Sequence, residues 1–281
     1  MITHWSSGSP ELHMDESILV DLAPLIERHP WWKARALLTL RLLDRLGIQP
    51  PATVLDAGCG WGVTLSALER VGYQATGLDV SPQALRRIDQ PCRRLVEADL
   101  TSAWPSDALM YDAVLALDVI EHLDDDQAAV TALAQRVSPG GVLIISVPAL
   151  PELFSEFDAI QGHRRRYRPD ILQSTFAASG LEVERIFWWG SWLVNRLRKA
   201  RSRPRSRPGE SPSDTYRQYL SLPPWPATLA LQALFAYELP KALDGRLKVG
   251  TSLFAVARAK SQNAPTLGIS PKPVRSGVGT S

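Results

Sequence analysis

The apolar positions between Glu16 and Leu46 fall at helical spacing, at Ile18, Leu22, Leu25 and Ile26 and then at Ala34, Leu37, Leu38 and Leu42. Pro30 interrupts the series, so the pattern predicts two helices in an N-terminal cap, closed by Gly47 and the pair Pro50-Pro51. Residues 1–14 have no such period and are expected to form a loose arm. From Thr53 to Val147 the period changes. Short apolar runs (TVLDAG, QATGLDVS, CRRLVEADL, DAVLALDV, GVLIISV) are separated by amphipathic stretches, VTLSALERV ending at Gly72, PQALRRIDQ and DDQAAVTALAQRV. Runs that are apolar on both faces suit parallel strands covered by helices on each side, which predicts an α/β fold. After Pro148 the pattern gives a helix in PDILQSTFAASG, a strand in LEVERIFWW, an apolar helical stretch over 225–243 and a last strand in TSLFAVARA.

Composition changes this picture in two places. Residues 196–214, RLRKARSRPRSRPGESPSD, are rich in Arg, Ser and Pro and read as a flexible linker, and the tail from Ser261 reads as disordered. The expected segments are an arm and cap over 1–50, a core over 51–190, an insertion or lid with a basic linker over 191–250, a final strand over 251–260 and the tail over 261–281. The formal charge of +2 is too balanced for a nucleic-acid binder, although Arg196 to Arg207 holds six arginines, one lysine and no acid. Two cysteines, Cys59 and Cys92, make neither a disulfide framework nor a metal knuckle, which points to a reducing compartment. No basic start followed by an apolar core opens the chain, and no run of eighteen apolar residues occurs. The cytoplasm is the expected address.

The candidate chemistry begins at Asp56-Ala57-Gly58-Cys59-Gly60-Trp61-Gly62, between a predicted strand and a predicted helix. Alternating glycines permit a tight turn and a close backbone approach to a ligand, and the helix aims its N-terminal amides at the same place. Alone, this motif also admits the plainer reading of a structural β–α turn. Asp79, twenty-three residues after Asp56, ends the next strand, where a carboxylate can accept from both hydroxyls of a ribose. A nicotinamide enzyme would carry a similar acid, but its fingerprint is G-x-G-x-x-G, and Asp56 would repel a pyrophosphate. The same carboxylate suits a ligand bearing an ammonium and a sulfonium, as S-adenosylmethionine does. Asp99 ends the third strand and can accept from an adenine amino group, with Val80 and Leu100 flanking the ring. Leu117 and Asp118 end the fourth strand at the same crevice.

Taken together, VLDAGCGWG, GLDVS, EADL, DAVLALDVIEHLDD and SPGGVLIISVP resemble the motif series of class I, S-adenosylmethionine-dependent methyltransferases over about residues 53–148. The series is most similar to the ubiquinone-type O-methyltransferases, which often carry Glu-His after the fourth strand. The resemblance implies a Rossmann-like seven-stranded sheet, mostly parallel with its last strand antiparallel, and helices on both faces. It implies a cofactor site of Arg35, Asp56, Gly58, Cys59, Gly60, Gly62, Asp79, Val80, Asp99, Leu100 and Leu117, with Cys59 a backbone contact. His29-Pro30-Trp31-Trp32-Lys33-Ala34-Arg35 and the Gly162-His163-Arg164-Arg165-Arg166-Tyr167 segment resemble a bacterial subgroup, in which the arginine at the Arg35 position reaches the cofactor carboxylate. The long stretch between Gly190 and Gly250 departs from the ubiquinone enzymes, so the acceptor stays open.

Methyl transfer from a sulfonium is an in-line displacement, and aligning its partners can supply about 7–11 kcal/mol. An alcohol or phenol acceptor also needs a base. His122 and His163 are the catalytic candidates, with Glu121 orienting either one; Glu121-His122 can equally be a helix-start contact that shapes the pocket. Arg165, Arg166 and Tyr167 are expected to hold an anionic acceptor, the alternative being a solvated basic loop. No second ligand set stands at fixed spacing, so no metal is expected. Trp188, Trp189, Trp192 and Leu193, the basic Arg196, Arg198 and Lys199, and the apolar Leu229–Leu239 segment suggest an amphipathic lip. That lip would allow peripheral contact with the inner face of a membrane through 187–243 and a lipid-linked acceptor; the alternative is a lid over the pocket. No N/D-P-P-Y/F segment follows the fourth strand, so nucleic-acid methylation is not expected. The leading expectation is methylation of a small or lipid-linked acceptor, with O-methylation favoured. The rivals are a catalytically silent cofactor-binding partner and a nucleotide-dependent oxidoreductase. The oligomeric state is left open.

Overall fold

The computed structural model describes residues 2–5, 14–105, 107–201, 204–220 and 224–261; the expected tail, Ser261 apart, lies outside them. One sheet organises the chain. Its strands are β1 (Ile2–His4), β2 (Thr53–Ala57), β3 (Gln74–Asp79), β4 (Arg94–Glu97), β5 (Tyr111–Leu117), β6 (Val137–Pro148), β7 (Glu182–Trp189) and β8 (Ser252–Arg258). They lie in the order β1-β4-β3-β2-β5-β6-β8-β7. β2 is central, with Leu55 opposite Thr76 of β3 and opposite Val114 of β5 in parallel register. β8 runs antiparallel to both neighbours, pairing Ile144 with Val256 and Phe187 with Phe254.

The expected seven strands are all present, and an eighth precedes them. Ile2–His4, read from sequence as part of a loose arm, pairs in parallel with β4, Ile2 standing opposite Leu95. Three residues carry too little pattern to register as a strand; the exposed edge of β4 supplies what their own sequence does not.

Alternation along the strands builds two cores. Leu55, Val114 and Ile145 point to one face, where α6 (Asp126–Ala134) and α8 (Pro169–Ser174) contribute Val130, Leu133 and Leu172. Val54, Leu115 and Ile144 point to the other, against α3 (Pro30–Arg45), α4 (Val63–Val71), α5 (Pro82–Ile88) and α11 (Trp225–Leu243). A third, smaller cluster forms a roof at the carboxyl edge of the sheet. It joins α1 (Glu16–Asp21) and α2 (Ala23–Ile26) to α7 (Glu156–Ile160) and α10 (Pro212–Tyr219) through Ile18, Leu22, Phe157, Tyr216 and Leu220. Three hydrogen bonds reinforce it: Ser213 to Asp21 at 3.0 Å, Trp61 Nε1 to the Leu19 carbonyl at 2.9 Å, and Tyr216 to Gln161 at 2.8 Å.

Two local readings change. The stretch before Pro30 forms two short helices, α1 and α2, rather than one. Pro30 separates them from α3 as expected, by starting it at a position where the missing N–H costs nothing, with His29 Nδ1 accepting from Trp31 N at 3.2 Å. The basic stretch is also more ordered than its composition implies. α9 (Val194–Ala200) occupies its first part, and residues 204–211 lead into α10. Glu156 clasps the connection, accepting from Arg205 N at 2.6 Å, from the Ser206 hydroxyl and from Tyr219 at 2.6 Å.

Candidate active site

A cavity of about 550 Å³ opens at the carboxyl ends of the parallel strands, beneath the roof. At the turn after β2 the Gly58 and Cys59 amides both donate to the Leu78 carbonyl, at 2.7 and 2.9 Å, which folds the loop over β3. Gly58 has φ +73°, and a Cβ there would fall 2.4 Å from Val119 Cγ2. Only glycine lets the loop pass this wall. Gly58, Cys59 and Gly60 line the cavity. Asp79 is pinned at its floor by two amides, Gly60 N at 2.7 Å on one oxygen and Ser81 N at 2.9 Å on the other. Burial raises its pKa, and these amides work against the rise. Val80, Asp99, Leu100 and Leu117 line the same space, Asp99 accepting from Thr101 N at 2.7 Å.

Arg35 also lines the cavity. Its guanidinium reaches the Leu117 carbonyl at 3.2 Å, forms an ion pair with Asp118 and stacks on Trp31 at 5.0 Å. Asp118 holds a left-handed backbone, φ +58°, which turns its carboxylate back toward Arg35. Two expected cofactor residues stand apart from the lining: Gly62 caps α4, and Asp56 is buried under the loop with Oδ2 lacking a hydrogen-bond partner. Burial pushes the Asp56 carboxyl up to about 7, with Arg35 opposing and Asp79 adding to the rise.

His122 and His163 come together in the same cavity, forty-one residues apart in sequence, with ring centroids 4.7 Å apart and edge-to-face. Glu121 lies beside them, fully buried, with neither carboxylate oxygen hydrogen-bonded and Oε1 3.9 Å from His163 Nε2. Burial, reinforced by the Asp118 charge, pushes this carboxyl well above the usual range. His163 Nδ1 meets Asp158 Oδ1 at 3.2 Å. Arg166 binds the same Asp158 oxygen at 2.7 Å, and Arg201 approaches the other at 3.6 Å. Burial works to raise the Asp158 carboxyl, but His163, Arg166 and Arg201 outweigh it and hold it well below the usual range.

The three residues expected to grip an anionic acceptor are split by the fold. Arg166 lines the cavity, though its guanidinium is already committed to Asp158 and to the Ala149 carbonyl at 2.8 Å. Arg165 and Tyr167 lie outside the lining and converge on Asp126, at 3.2 and 2.7 Å; Arg165 also bonds the carbonyls of Leu123 and Asp124. They anchor the segment after β6 to the start of α6. Sequence reading missed Arg201, Arg205, Tyr216 and Tyr219, which line the outer chamber. The four-residue spacing of Tyr216 and Leu220 was the available signal, masked by the surrounding Arg, Ser and Pro. Leu193, just before α9, Leu197 of α9, and Leu231 and Phe235 of α11 make an apolar part of the same lining.

A glycine turn, acids at successive strand ends and a nucleoside-sized crevice at the sheet edge give the chain the fold of class I, S-adenosylmethionine-dependent methyltransferases. A family model described as a methyltransferase domain matches residues 31–186, more than half of the chain, and the protein belongs to that family. The ubiquinone biosynthesis O-methyltransferase of Xanthomonas campestris pv. campestris (strain B100) is 31% identical over 159 residues, 50% of this chain and 63% of the relative. The enzyme of that name from Alkalilimnicola ehrlichii is 34% identical over 102 residues, 33% of this chain and 40% of the relative. The chain thus matches less than two thirds of the length of these curated relatives. Among solved structures, a chain from the Haloferax volcanii complex of the Trm112 methyltransferase activator has a TM-score of 0.57 at 18% identity, covering 90% of this chain and 100% of that one. The [4+2]-cyclase SpnF has a TM-score of 0.55 at 17% identity, covering 92% and 99%. Likeness at this identity speaks for architecture alone.

Proposed function

We propose that the protein transfers a methyl group from S-adenosylmethionine to a hydroxyl oxygen of an apolar or lipid-linked acceptor. The observation that carries this reading is a single cavity lined at once by the glycine loop, by Asp79 and Asp99, and by His122 and His163. The sulfonium supplies an activated methyl and a neutral thioether leaving group. Asp79, its carboxylate fixed by two amides, accepts from the ribose hydroxyls; Asp99 accepts from the adenine amino group; Arg35 meets the methionine carboxylate. Asp79 and Asp118, which line the cavity, place negative charge around a cationic ligand. With Nδ1–H donated to Asp158, His163 presents its Nε2 lone pair toward Glu121, where the acceptor hydroxyl and its proton are received.

The outer surface supports an acceptor drawn from an anionic membrane. α11 shows no charged residue from Trp225 to Tyr237, and Trp225, Leu229, Leu234 and Tyr237 are exposed. Arg196, Arg198 and Lys199 stand on α9, and Arg196 lines the cavity. Basic residues near an anionic bilayer contribute about 1 kcal/mol each. No helix among the described residues is long and apolar enough to cross a membrane; the exposed apolar residues of α11 and the α9 charges support peripheral contact with the inner face.

Calorimetric titration with S-adenosylmethionine and S-adenosylhomocysteine tests the reading. Micromolar binding that is lost in Asp79→Ala is the expected result; no binding of either ligand by the unaltered chain overturns it. Binding without turnover over a panel of lipid phenols and alcohols would move the assignment to a cofactor-binding partner protein.

A further inference from the structure

We propose that Glu121, His122 and His163 form a binding site for a divalent transition-metal cation at the acceptor end of the cavity. The sequence offered no such site, because its ligands are two neighbours and a distant histidine with no fixed spacing. The fold assembles them: one carboxylate oxygen and one nitrogen from each ring all lie within 4.8 Å of one another. Ligands at about 2.0–2.2 Å from a shared cation need only a small closing movement from this arrangement.

Three features favour a cation over a chance cluster. The Glu121 carboxylate is fully buried and neither of its oxygens accepts a hydrogen bond, an expensive arrangement that a bound cation relieves. Asp118, the neighbouring carboxylate, has Arg35 as its partner, so the nearby positive charge is already engaged. His163 is held through Nδ1 by Asp158, itself fixed by Arg166, which fixes the proton on Nδ1 and leaves Nε2 facing Glu121. A carboxylate that orients a histidine through its far nitrogen is the usual outer partner of a metal ligand.

Three protein ligands beside a cavity leave a coordination position for a small oxygen ligand. Two imidazoles and one carboxylate suit Zn²⁺, Mn²⁺, Co²⁺ or Fe²⁺ better than Mg²⁺ or Ca²⁺, which prefer all-oxygen shells. The ligand class at the open position is a hydroxyl or phenol, and this part alone rests on the methyl-transfer reading. The acceptor oxygen binds the cation and loses its proton to water. Its lone pair then forms the new C–O bond to the methyl, and the C–S pair stays on sulfur as the thioether. With the cation bound, His163 Nε2 is a ligand and water takes the proton in its place, while Asp158 is a positioning residue.

The test uses the full chain stripped with a chelator and titrated with Co²⁺ by visible absorption and with Zn²⁺ by calorimetry, without methyl donor or acceptor. One equivalent is expected to bind. Affinity should fall at least ~100-fold in His163→Ala and in Glu121→Gln, and about 10–100-fold in Asp158→Asn. His163→Gln, checked by circular dichroism, guards against a folding defect in the alanine variant. Absence of Co²⁺ and Zn²⁺ binding by the unaltered chain overturns the proposal, as does equal binding by folded variants. S-adenosylmethionine titrated in parallel keeps the two readings separate: binding of the nucleoside without the metal overturns only this proposal, and the converse overturns only methyl transfer.

Discussion

At the scale of single residues, the placement of the glycine loop and of the acids at the strand ends was legible because it depends on position along a strand–turn–helix unit. Asp79, Val80, Asp99, Leu100 and Leu117 all line one cavity, as their spacing predicted. Roles that depend on what a side chain meets across the fold were not legible: Arg165 and Tyr167 turn to Asp126, and Asp158 takes Arg166 and His163. Asp56 gives a sharp test. A buried acid whose folded pKa is raised to about 7 destabilises the fold only once ionised. The penalty is absent below its unfolded value near 3.8, grows as pH rises toward 7 and is constant above. Asp56→Asn should therefore stabilise the ligand-free protein at pH 8, on the order of a few kcal/mol, and have little effect at pH 4. Thermal melts across that range would show the divergence; parallel curves would show that Asp56 carries no such penalty. Asp158→Asn should lower kcat roughly 10–100-fold while leaving S-adenosylmethionine affinity nearly unchanged, because it loosens His163 without touching the nucleoside end.

At the scale of elements, the strongly periodic helices and strands were readable, and the basic stretch was not. Its order comes from Glu156, about fifty residues away, whose carboxylate gathers Arg205, Ser206 and Tyr219. Burial works to raise the Glu156 pKa, but these hydrogen bonds outweigh it and lower it to about 2. The clasp contributes its full stability above the unfolded value of 4.5 and loses it as pH falls toward 2. Glu156→Gln should speed tryptic cleavage after Arg205 at neutral pH, measured as the rate of nicking; an unchanged rate would mean that Glu156 does not secure the segment. α11 makes a separate prediction. Leu229→Ser/Tyr237→Ser should reduce co-sedimentation with vesicles containing phosphatidylglycerol, and added salt should reduce it further through the α9 charges. Equal binding by the double variant would remove the membrane role from this face.

At the scale of the molecule, the sheet order and the two-faced core follow from strands that are apolar on both sides. The eighth strand and the roof do not, because each is completed by partners remote in sequence. Ile144→Ala, in the centre of one core layer, should cost about 2–5 kcal/mol in urea unfolding without altering the sheet. The roof has a kinetic consequence. α1 and α10, tied by a Ser213–Asp21 bond across 192 residues of sequence, meet over the cavity through one small apolar cluster and a few hydrogen bonds. On the methyl-transfer reading, the expected consequence is that departure of the spent donor past these helices, rather than bond making, limits turnover. Rapid-quench assays should then show a burst of methylated product close to one per enzyme, followed by a slower steady rate. Ser213→Ala, which removes the hydroxyl that ties α10 to Asp21, should quicken the steady rate and leave the burst intact.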